Sequence, residues 1–353
     1  MSRFFSEKHS TLVPYVPGEQ PRERKYIKLN TNESPFPPSA LAVAAAAKAA
    51  EQLQLYPDPS MSALTKKMAE RYGILPEEII FGNGSDEILN FAFMAFCDET
   101  HPAAFADITY GFYRVFANLH GIPFEEIPLD ENFAIRVSDY CGIGKTIFIA
   151  NPNAPTGLAL TRDQIEQILK SNPDNVVVID EAYVDFGGES ALPLIRKYDN
   201  LLVTGTFSKS RSMAGARLGF GFGSPALIAD LHTLRNSTNP YNVNSMTLAA
   251  GIATLEDEAY TQKNCQTVCE NRAFLTSELR ALGFVLADSL TNFLFVRHPR
   301  IAGDVFYRAL REKGILVRHF TAPRIADYNR ITIGTREEME ALVLAAREIL
   351  EEV

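Results

Sequence analysis

A single lysine, Lys209, lies among small hydroxyl-bearing and glycine-rich neighbours in the segment TFSKSRSMAGARLGFGFG, residues 206–223. Thr206 and Ser208 precede it, and Arg217 follows eight positions later. A lysine amine can attack a carbonyl group and form a Schiff base, whereas hydroxyls and a guanidinium bind phosphate. A polar loop before a strand is the simpler interpretation. The segment therefore predicts chemistry only if other elements bring partner groups to Lys209.

A carboxylate and a phenol follow one apolar run. Asp180 ends the run NVVVID, and Tyr183 comes three positions later. A carboxylate at the end of a buried strand costs free energy unless a cationic group meets it. Asp180 therefore either faces a bound cationic group or has a structural role, capping the next helix or pairing with an arginine.

Two turns could complete a site. In IIFGNGSDEIL, Ser85 and Asp86 begin an apolar helix, where free N–H groups and the helix dipole favour an anion, although an ordinary helix cap is the alternative. The turn NPNAPTG, residues 151–157, contains X-Pro bonds that allow a cis peptide, and it can also be a simple strand-to-helix turn. Pyridoxal 5′-phosphate is the cofactor that needs a lysine, a carboxylate for its ring nitrogen, a hydroxyl for its phenolic oxygen and a phosphate site together.

The elements that must position these residues alternate between short β-rich runs and helical patterns, which predicts an α/β fold. Several runs are apolar on both faces, as strands of a buried parallel sheet are. The predicted strands are residues 103–107, 124–129, 145–150, 175–180, 200–207 and 217–223. Ligands of such sheets bind at the carboxyl ends of the strands.

The pattern changes after about residue 244, where one helical stretch, residues 246–282, precedes short strands and two helices. We expect a smaller α+β domain with an antiparallel sheet. The predicted division is an N-terminal arm with part of the small domain (1–45), a large cofactor-binding domain (46–245) and a small C-terminal domain (246–353). The arm has no partner of its own and is expected to dock on the small domain.

Composition excludes several classes of function. The chain has 353 residues and a formal net charge of −9, which argues against nucleic acid or an acidic membrane as its main partner. It has no signal-peptide pattern and no apolar run long enough to span a bilayer, so we expect a cytoplasmic protein. Four cysteines without CxxC spacing and six scattered histidines give no support for a metal site.

Taken in order, ten motifs make the chain resemble the histidinol-phosphate aminotransferase family, among the fold-type I enzymes that depend on pyridoxal phosphate. The motifs are PYVPGEQ, KLNTNESPF, LYPD, GNGSDEIL, TYGFY, NPNAPTG, VVIDEAYVDF, TFSKSRSMAGARLGF, NPYNVN and RITIGTREE. The resemblance covers nearly the whole chain and implies a mostly parallel seven-stranded sheet between helices. It also implies an obligate homodimer with shared active sites.

The resemblance implies a role for each cofactor-binding residue. Lys209 would form the Schiff base and then move the proton between the substrate Cα and the cofactor. Asp180 would hold the pyridine nitrogen protonated, Tyr183 would hydrogen-bond the phenolic oxygen, and Tyr110 would stack on the ring. The phosphate would be held by Ser85, Asp86, Thr206, Ser208 and Arg217, with Tyr56 reaching in from the neighbouring subunit.

The substrate residues are also implied by the resemblance. Arg330 matches the arginine that binds the α-carboxylate of glutamate or 2-oxoglutarate, and Arg318 and Tyr15 match residues that hold the substrate phosphate. Arg318 could instead lie on the surface of a strand, and Tyr15 could serve N-terminal packing. The reaction implied is L-histidinol phosphate with 2-oxoglutarate, giving imidazole acetol phosphate and L-glutamate in histidine biosynthesis.

The chain departs from the family at one cofactor position. The family turn is usually NPNNPTG, and the asparagine before the second proline contacts the phenolic oxygen, but Ala154 occupies that position here. Either Asn153 shifts to make the contact or Tyr183 makes it alone. Loss of one neutral hydrogen bond costs about 1 kcal/mol, too little to abolish cofactor binding. Arg211 has no assigned role and is expected to face solvent.

Other functions remain open. A threonine-phosphate decarboxylase-like enzyme would use the same cofactor residues with the substrate carboxylate turned, and an aromatic or broad-specificity aminotransferase would not use Arg318. A non-catalytic descendant that uses the fold as a binding module predicts loss of the lysine, aspartate or arginine. Lys209, Asp180 and Arg217 are all present, which argues against that hypothesis.

Overall fold

The computed structural model describes residues 2–21 and 23–352. The strands are β1 (Ile27–Lys28), β2 (Ile79–Asn83), β3 (Ala103–Ala106), β4 (Phe124–Ile127), β5 (Thr146–Ala150), β6 (Val177–Asp180), β7 (Leu201–Thr206), β8 (Leu218–Gly223), β9 (Val285–Leu286), β10 (Phe293–Arg297), β11 (Ile315–Leu316), β12 (Arg318–His319) and β13 (Asn329–Thr332). The α-helices are α1 (Ala40–Ala50), α2 (Ser62–Tyr72), α3 (Ser85–Phe96), α4 (Phe112–His120), α5 (Arg162–Ser171), α6 (Pro225–Thr238), α7 (Ser245–Glu256), α8 (Glu258–Ala281), α9 (Gly303–Glu312) and α10 (Arg336–Glu351).

The large sheet has seven strands in the order β2-β8-β7-β6-β5-β3-β4. Strand β8 is antiparallel to both of its neighbours, and the remaining neighbours pair in parallel. The predicted α/β class with a mostly parallel seven-stranded sheet is therefore confirmed. Because β5, β6 and β7 are parallel neighbours, the residues that follow them meet at one edge of the sheet.

Alternate residues of the central strands face two separate cores. Ile147 and Ile179 point to a core that includes helices α1, α2, α5 and α7. Phe148 and Val178 point to the opposite core, built with α3, α4 and α6. Both faces of the sheet are covered by helices, which explains why the central strands are apolar at almost every position.

A smaller antiparallel sheet, in the order β12-β13-β10-β9, packs with α8, α9 and α10 around a third core. The N-terminal segment joins this part of the molecule, because β1 pairs in parallel with β11. This pairing is what the predicted docking of the arm requires. The division of the chain at residues 45 and 245 stays a prediction.

The stretch predicted to be helical at residues 246–282 is helical except for one break. It is two helices, α7 and α8, separated at Asp257, whose φ of −105° and ψ of 53° leave the helical region. The break lets α7 pack on α1 at the large sheet while α8 packs on α10 at the small one.

Within residues 2–21 and 23–352, the helices are too short or too polar to cross a membrane. The cytoplasmic location stays a prediction.

Candidate active site

Two cavities that share a wall contain most of the predicted site residues. The first cavity has a volume of about 340 Å³ and the second about 410 Å³. The predicted residues that line the first cavity are Ser85, Asp86, Tyr110, Asp180, Tyr183, Thr206, Ser208, Lys209 and Arg217. Those that line the second are Tyr15, Tyr110, Tyr183, Lys209, Arg318 and Arg330. Both volumes are in the range of pockets that hold small molecules.

Lys209 lies on the shared wall, in the turn that follows β7. Its Nζ atom is 3.5 Å from the carbonyl oxygen of Thr31 and 5.7 Å from the centre of the Tyr183 ring. Both contacts come from other parts of the chain, so the amine is held between the two cavities. A nucleophilic amine at this point can reach a ligand on either side.

The turn after Lys209 is tied to three other segments. Ser210 donates a hydrogen bond to the Asp185 carboxylate, and Ser212 donates to the Ser34 hydroxyl at 2.8 Å. Arg211 is only 5% exposed and forms an ion pair of 3.1 Å with Glu258 at the start of α8. The expectation that Arg211 faces solvent is therefore wrong. Its guanidinium is buried because a carboxylate from a distant helix meets it there.

Asp180 is buried at the end of β6, with 4% of its surface exposed. Its carboxylate accepts hydrogen bonds from the Tyr113 hydroxyl at 3.0 Å and the Thr204 hydroxyl at 3.1 Å. Burial raises the pKa of Asp180 to about 6, although both hydrogen bonds act in the opposite direction. A cationic group in the first cavity would favour its ionised form, as expected for a partner of a protonated ring nitrogen.

Tyr183 lines both cavities and has a partner that the sequence analysis missed. The side-chain amide of Asn32 donates to the Tyr183 hydroxyl at 2.9 Å. The Tyr183 ring also packs edge-on against Phe293, with ring centres 5.1 Å apart. Asn32 lies inside the motif KLNTNESPF, but an asparagine in a polar turn gives no signal of such a contact from the sequence alone.

The other end of the first cavity is the start of α3. Gly84 precedes the helix with a φ of +84°, and a Cβ there would lie 2.5 Å from Arg217 Nη2. The backbone conformation favours glycine, and the absence of a Cβ also leaves room for the Arg217 guanidinium beside the helix start. The free N–H groups of Ser85 and Asp86 are at this helix N-terminus, as an anion site requires.

Charged and hydroxyl groups surround the same helix start. The Asp86 carboxylate accepts from the Tyr110 hydroxyl at 2.6 Å and pairs with Arg217 at 3.0 Å. On the other side, the Thr206 hydroxyl donates to Ser208 Oγ at 2.9 Å. Burial, followed by the Asp86 charge, raises the pKa of the Tyr110 phenol well above its ordinary value. Tyr110 is therefore a neutral hydrogen-bond donor at physiological pH.

Two predicted cofactor residues are not brought to either cavity. The Asn153 amide donates to the carbonyl oxygen of Ile108 at 2.9 Å, and its oxygen accepts from the Thr109 hydroxyl at 2.7 Å. These bonds turn Asn153 away, and Ala154 lines both cavities instead. Tyr56 is 81% exposed and stacks on Tyr241 with ring centres 4.6 Å apart.

The second cavity has two arginines with different surroundings. One Arg330 nitrogen, Nη2, donates to the carbonyl oxygen of Asn30 at 3.2 Å, whereas its Nε is shielded from solvent and has no hydrogen-bond partner among the described residues. Burial lowers the pKa of Arg330. Arg318 donates to the carbonyl oxygens of Val16 and Pro17, at 3.2 and 3.3 Å. Arg330 is therefore the one with a buried donor left for an anion.

Tyr15 enters the second cavity from the N-terminal arm. Its ring stacks on Phe112, with ring centres 4.4 Å apart. The contact holds the arm against the start of α4. Tyr15, Arg318 and Arg330 thus face one cavity although more than 300 residues separate the first from the others along the chain.

The fold and the match to a family model define the class of protein first. Residues 24–345 match the model described as aminotransferase class I and II. The structure of histidinol-phosphate aminotransferase from Sinorhizobium meliloti in complex with pyridoxal-5′-phosphate aligns with a TM-score of 0.90 and 22% identity. That alignment covers 100% of this chain and 99% of that one. At this identity the likeness establishes the fold.

Curated relatives define the family more narrowly. The chain is 47% identical to histidinol-phosphate aminotransferase 1 of Bradyrhizobium diazoefficiens over 99% of this chain and 100% of that protein. It is 49% identical to histidinol-phosphate aminotransferase 2 of Dechloromonas aromatica, over 99% of both chains. The chain belongs to the histidinol-phosphate aminotransferase family, within the class I and II aminotransferases. This membership confirms the predicted family, the predicted class of pyridoxal-phosphate-dependent transaminase and the predicted cofactor.

Proposed function

We propose that this chain transfers the amino group of L-histidinol phosphate to 2-oxoglutarate, giving imidazole acetol phosphate and L-glutamate in histidine biosynthesis. One observation carries the proposal: Lys209 lies between a cavity with a buried carboxylate and a cavity with two arginines. The names of the relatives support the choice of substrate.

The first cavity fits pyridoxal phosphate in its donors and charges. The start of α3, with Arg217 held beside Gly84, provides donors for a phosphate, and Asp180 lies on the wall as a carboxylate for the ring nitrogen. Tyr183 and Lys209 provide a phenol and an amine between the two cavities. When bound, the cofactor supplies an electron-accepting ring that stabilises negative charge on the substrate Cα.

Each residue then has a separate task. Asp180 would hold a proton on the ring nitrogen, and the hydrogen bonds from Tyr113 and Thr204 fix the carboxylate in place. Tyr183 would donate to the phenolic oxygen, Tyr110 would pack against the ring, and Lys209 Nζ would take the proton from the substrate Cα and return it. Because Arg217 already pairs with Asp86, a phosphate has to share that guanidinium with the carboxylate.

The second cavity is proposed to hold the substrates. Arg330 has a buried Nε without a partner among the described residues, so a carboxylate of glutamate or 2-oxoglutarate would satisfy it. Arg318 and Tyr15 are proposed to hold the phosphate of histidinol phosphate. Since Arg318 now donates to the backbone of the N-terminal arm, substrate binding and the position of the arm are expected to depend on each other.

We further propose a homodimer, in which Tyr56 reaches the phosphate of the neighbouring subunit. Tyr56 is exposed and does not reach either cavity of its own chain. Four exposed apolar side chains precede it in the chain, namely Leu41, Val43, Leu53 and Leu55. A second copy of the chain would cover such a surface.

A paired product assay tests the proposed reaction. The protein is loaded with pyridoxal phosphate and incubated with L-histidinol phosphate and 2-oxoglutarate, and separately with O-phosphothreonine. We expect glutamate from the first mixture and no carbon dioxide from the second. Carbon dioxide without glutamate would identify a decarboxylase instead. Equal rates of glutamate formation from phenylalanine and from histidinol phosphate would identify a broad-specificity aminotransferase.

A further inference from the structure

Asn32 is held rigidly in a conformation that few residue types adopt. It is 1% exposed and has a φ of +55°, in the left-handed region that asparagine tolerates better than most residues. Its N–H donates to Thr332 Oγ1 at 3.0 Å, and its carbonyl oxygen accepts from Asn292 at 3.0 Å. The backbone of Asn32 is therefore fixed to the small sheet by hydrogen bonds on both sides.

The hydrogen-bond pattern fixes which way the Asn32 amide points. The Thr332 hydroxyl accepts from the Asn32 N–H and donates its own proton to Asn32 Oδ1, 3.1 Å away. With Oδ1 facing Thr332, Nδ2 faces the Tyr183 hydroxyl at 2.9 Å. An amide nitrogen only donates, so the Tyr183 oxygen must accept in this bond.

The consequence concerns the single proton of the Tyr183 hydroxyl. The ring is held edge-on by Phe293, so rotation of the O–H bond is the freedom that remains. Tyr183 lines both cavities, and Asn32, which occupies one acceptor position of its hydroxyl, lines only the second. The proton is therefore left to point away from Asn32, on the side of the first cavity. Pro152, Ala154 and Ala182, which line the same cavity, have no side-chain donor that could take the place of Tyr183.

We propose that Asn32 is a positioning residue that directs the Tyr183 proton into the first cavity, towards the phenolic oxygen of the cofactor. The inference rests on the proposed function. The charged groups that line the first cavity are Glu33, Asp86, Asp180, Lys209 and Arg217, and Arg330 faces Tyr183 from the second. Asn32 supplies no charge, and it acts through the direction of one hydrogen bond.

The substitution Asn32→Asp tests the inference because it reverses that bond. Aspartate keeps the size, tolerates the positive φ and still accepts from Thr332, but it has no donor for Tyr183. The Tyr183 proton would then turn to the new carboxylate, and the phenolic oxygen would lose its donor. Loss of that donor disfavours the phenolate, so the pH midpoint of the bound cofactor's visible absorbance change should rise by about 1 unit.

A double-mutant cycle with Tyr183→Phe separates this effect from the added charge of the aspartate. If Asn32 acts through Tyr183, Asn32→Asp shifts the midpoint clearly more in the wild-type background than in Tyr183→Phe, where only the charge of the aspartate acts. An equal shift in both backgrounds would overturn the inference, because a carboxylate acting by its charge does not need Tyr183. No shift in the wild-type background would overturn it as well.

Glycine provides the alternative if Asn32→Asp does not fold, as judged by circular dichroism. Asn32→Gly also accepts a positive φ and removes the donor without adding charge. The expected rise of the midpoint is smaller, about 0.5 unit, because the Tyr183 hydroxyl is then undirected rather than reversed. If Asn32→Gly leaves the midpoint of the bound cofactor unchanged, the inference is wrong. A wild-type protein that binds no cofactor would instead contradict the proposed function.

Discussion

The two cavities differ in how the chain builds them. In the first cavity, Asp180 ends β6, and Thr206, Ser208 and Lys209 end or follow β7, so the groups proposed to do the chemistry stand on one sheet with helices on both faces. In the second, Tyr15, Arg318 and Arg330 come from the N-terminal arm and the small sheet. The seven-stranded sheet thus positions the groups of the proposed cofactor site. The proposed substrate site depends instead on how segments that are distant in sequence pack together.

The largest loss of turnover is expected from a substitution on the wall that the two cavities share. Lys209→Ala removes the amine proposed both to bind the cofactor covalently and to move the substrate Cα proton. Turnover should fall at least about 10⁴-fold, while the protein still binds pyridoxal phosphate noncovalently. The measurement is glutamate formation, together with the mass of the protein after borohydride reduction, which retains the cofactor only if it was bound to the lysine.

Lys209→Arg is the matched control, since it keeps the positive charge beside Tyr183 but cannot form the covalent bond. We expect the same loss of turnover and no retained cofactor mass. Substantial turnover in either variant would show that the proposed role of Lys209 is wrong. The distinction drawn between the two cavities would then also fail.

The difference between the cavities also explains what could be predicted from the sequence. Strand-end reasoning found Asp180 and Lys209, because parallel neighbours bring the residues that follow them to one edge. Arg318, Arg330 and Tyr15 came from the resemblance to a family, since no local pattern relates the arm to the small sheet. Long-range packing of this kind has no periodic signal in the sequence.

Side-chain direction was the second limit of the sequence analysis. Asn153 is adjacent in sequence to the cavity wall, but hydrogen bonds to Ile108 and Thr109 turn its amide away. The sequence around Arg211 predicts a surface position, but Arg211 is buried because Glu258, 47 residues later, pairs with it. Asn32 was missed because its contact with Tyr183 spans 151 positions. Each outcome was decided by a partner that is distant in sequence.

An intermediate effect is expected in the second cavity. Arg318→Ala should raise KM for histidinol phosphate about 10- to 100-fold, since a charge-assisted contact to phosphate is lost, and should raise KM for glutamate much less. Steady-state kinetics with each substrate varied in turn makes the comparison.

Arg324→Ala is the control for loss of a neighbouring arginine. Arg324 binds Asp107 and the carbonyl oxygen of Leu129, and it lines neither cavity. Its removal should leave the ratio of the two KM values unchanged. If Arg318→Ala raised KM for histidinol phosphate and KM for glutamate by the same factor, Arg318 would not recognise the phosphate.

The smallest effect on activity is expected next to the first cavity, at Glu181. Glu181 follows Asp180 directly, but its carboxyl group accepts hydrogen bonds from the Ser190 hydroxyl and the Ala191 N–H, each 2.6 Å, and lines neither cavity. We expect Glu181→Gln to keep most of the turnover. Asp180→Asn makes the same change of charge at the adjacent residue. It should lower turnover about 10²-fold or more, because it removes the proposed partner of the ring nitrogen.

Glu181 should nevertheless control how stability depends on pH. Burial raises its pKa from an ordinary value of 4.5 to about 8, so between those values the folded protein binds a proton that the unfolded chain does not. The free energy of unfolding therefore falls as pH rises through this window, by up to about 1.4 kcal/mol per pH unit from this group. Because the pKa of Asp180 is raised only to about 6, Asp180 is mostly ionised above pH 7, and the interval from pH 7 to 8 isolates Glu181 from Asp180. Urea unfolding of the cofactor-free wild type and Glu181→Gln across that interval should give a steeper fall for the wild type. Parallel curves would mean that Glu181 is ionised in the folded protein, and that burial beside the cofactor site does not by itself keep a carboxyl group protonated.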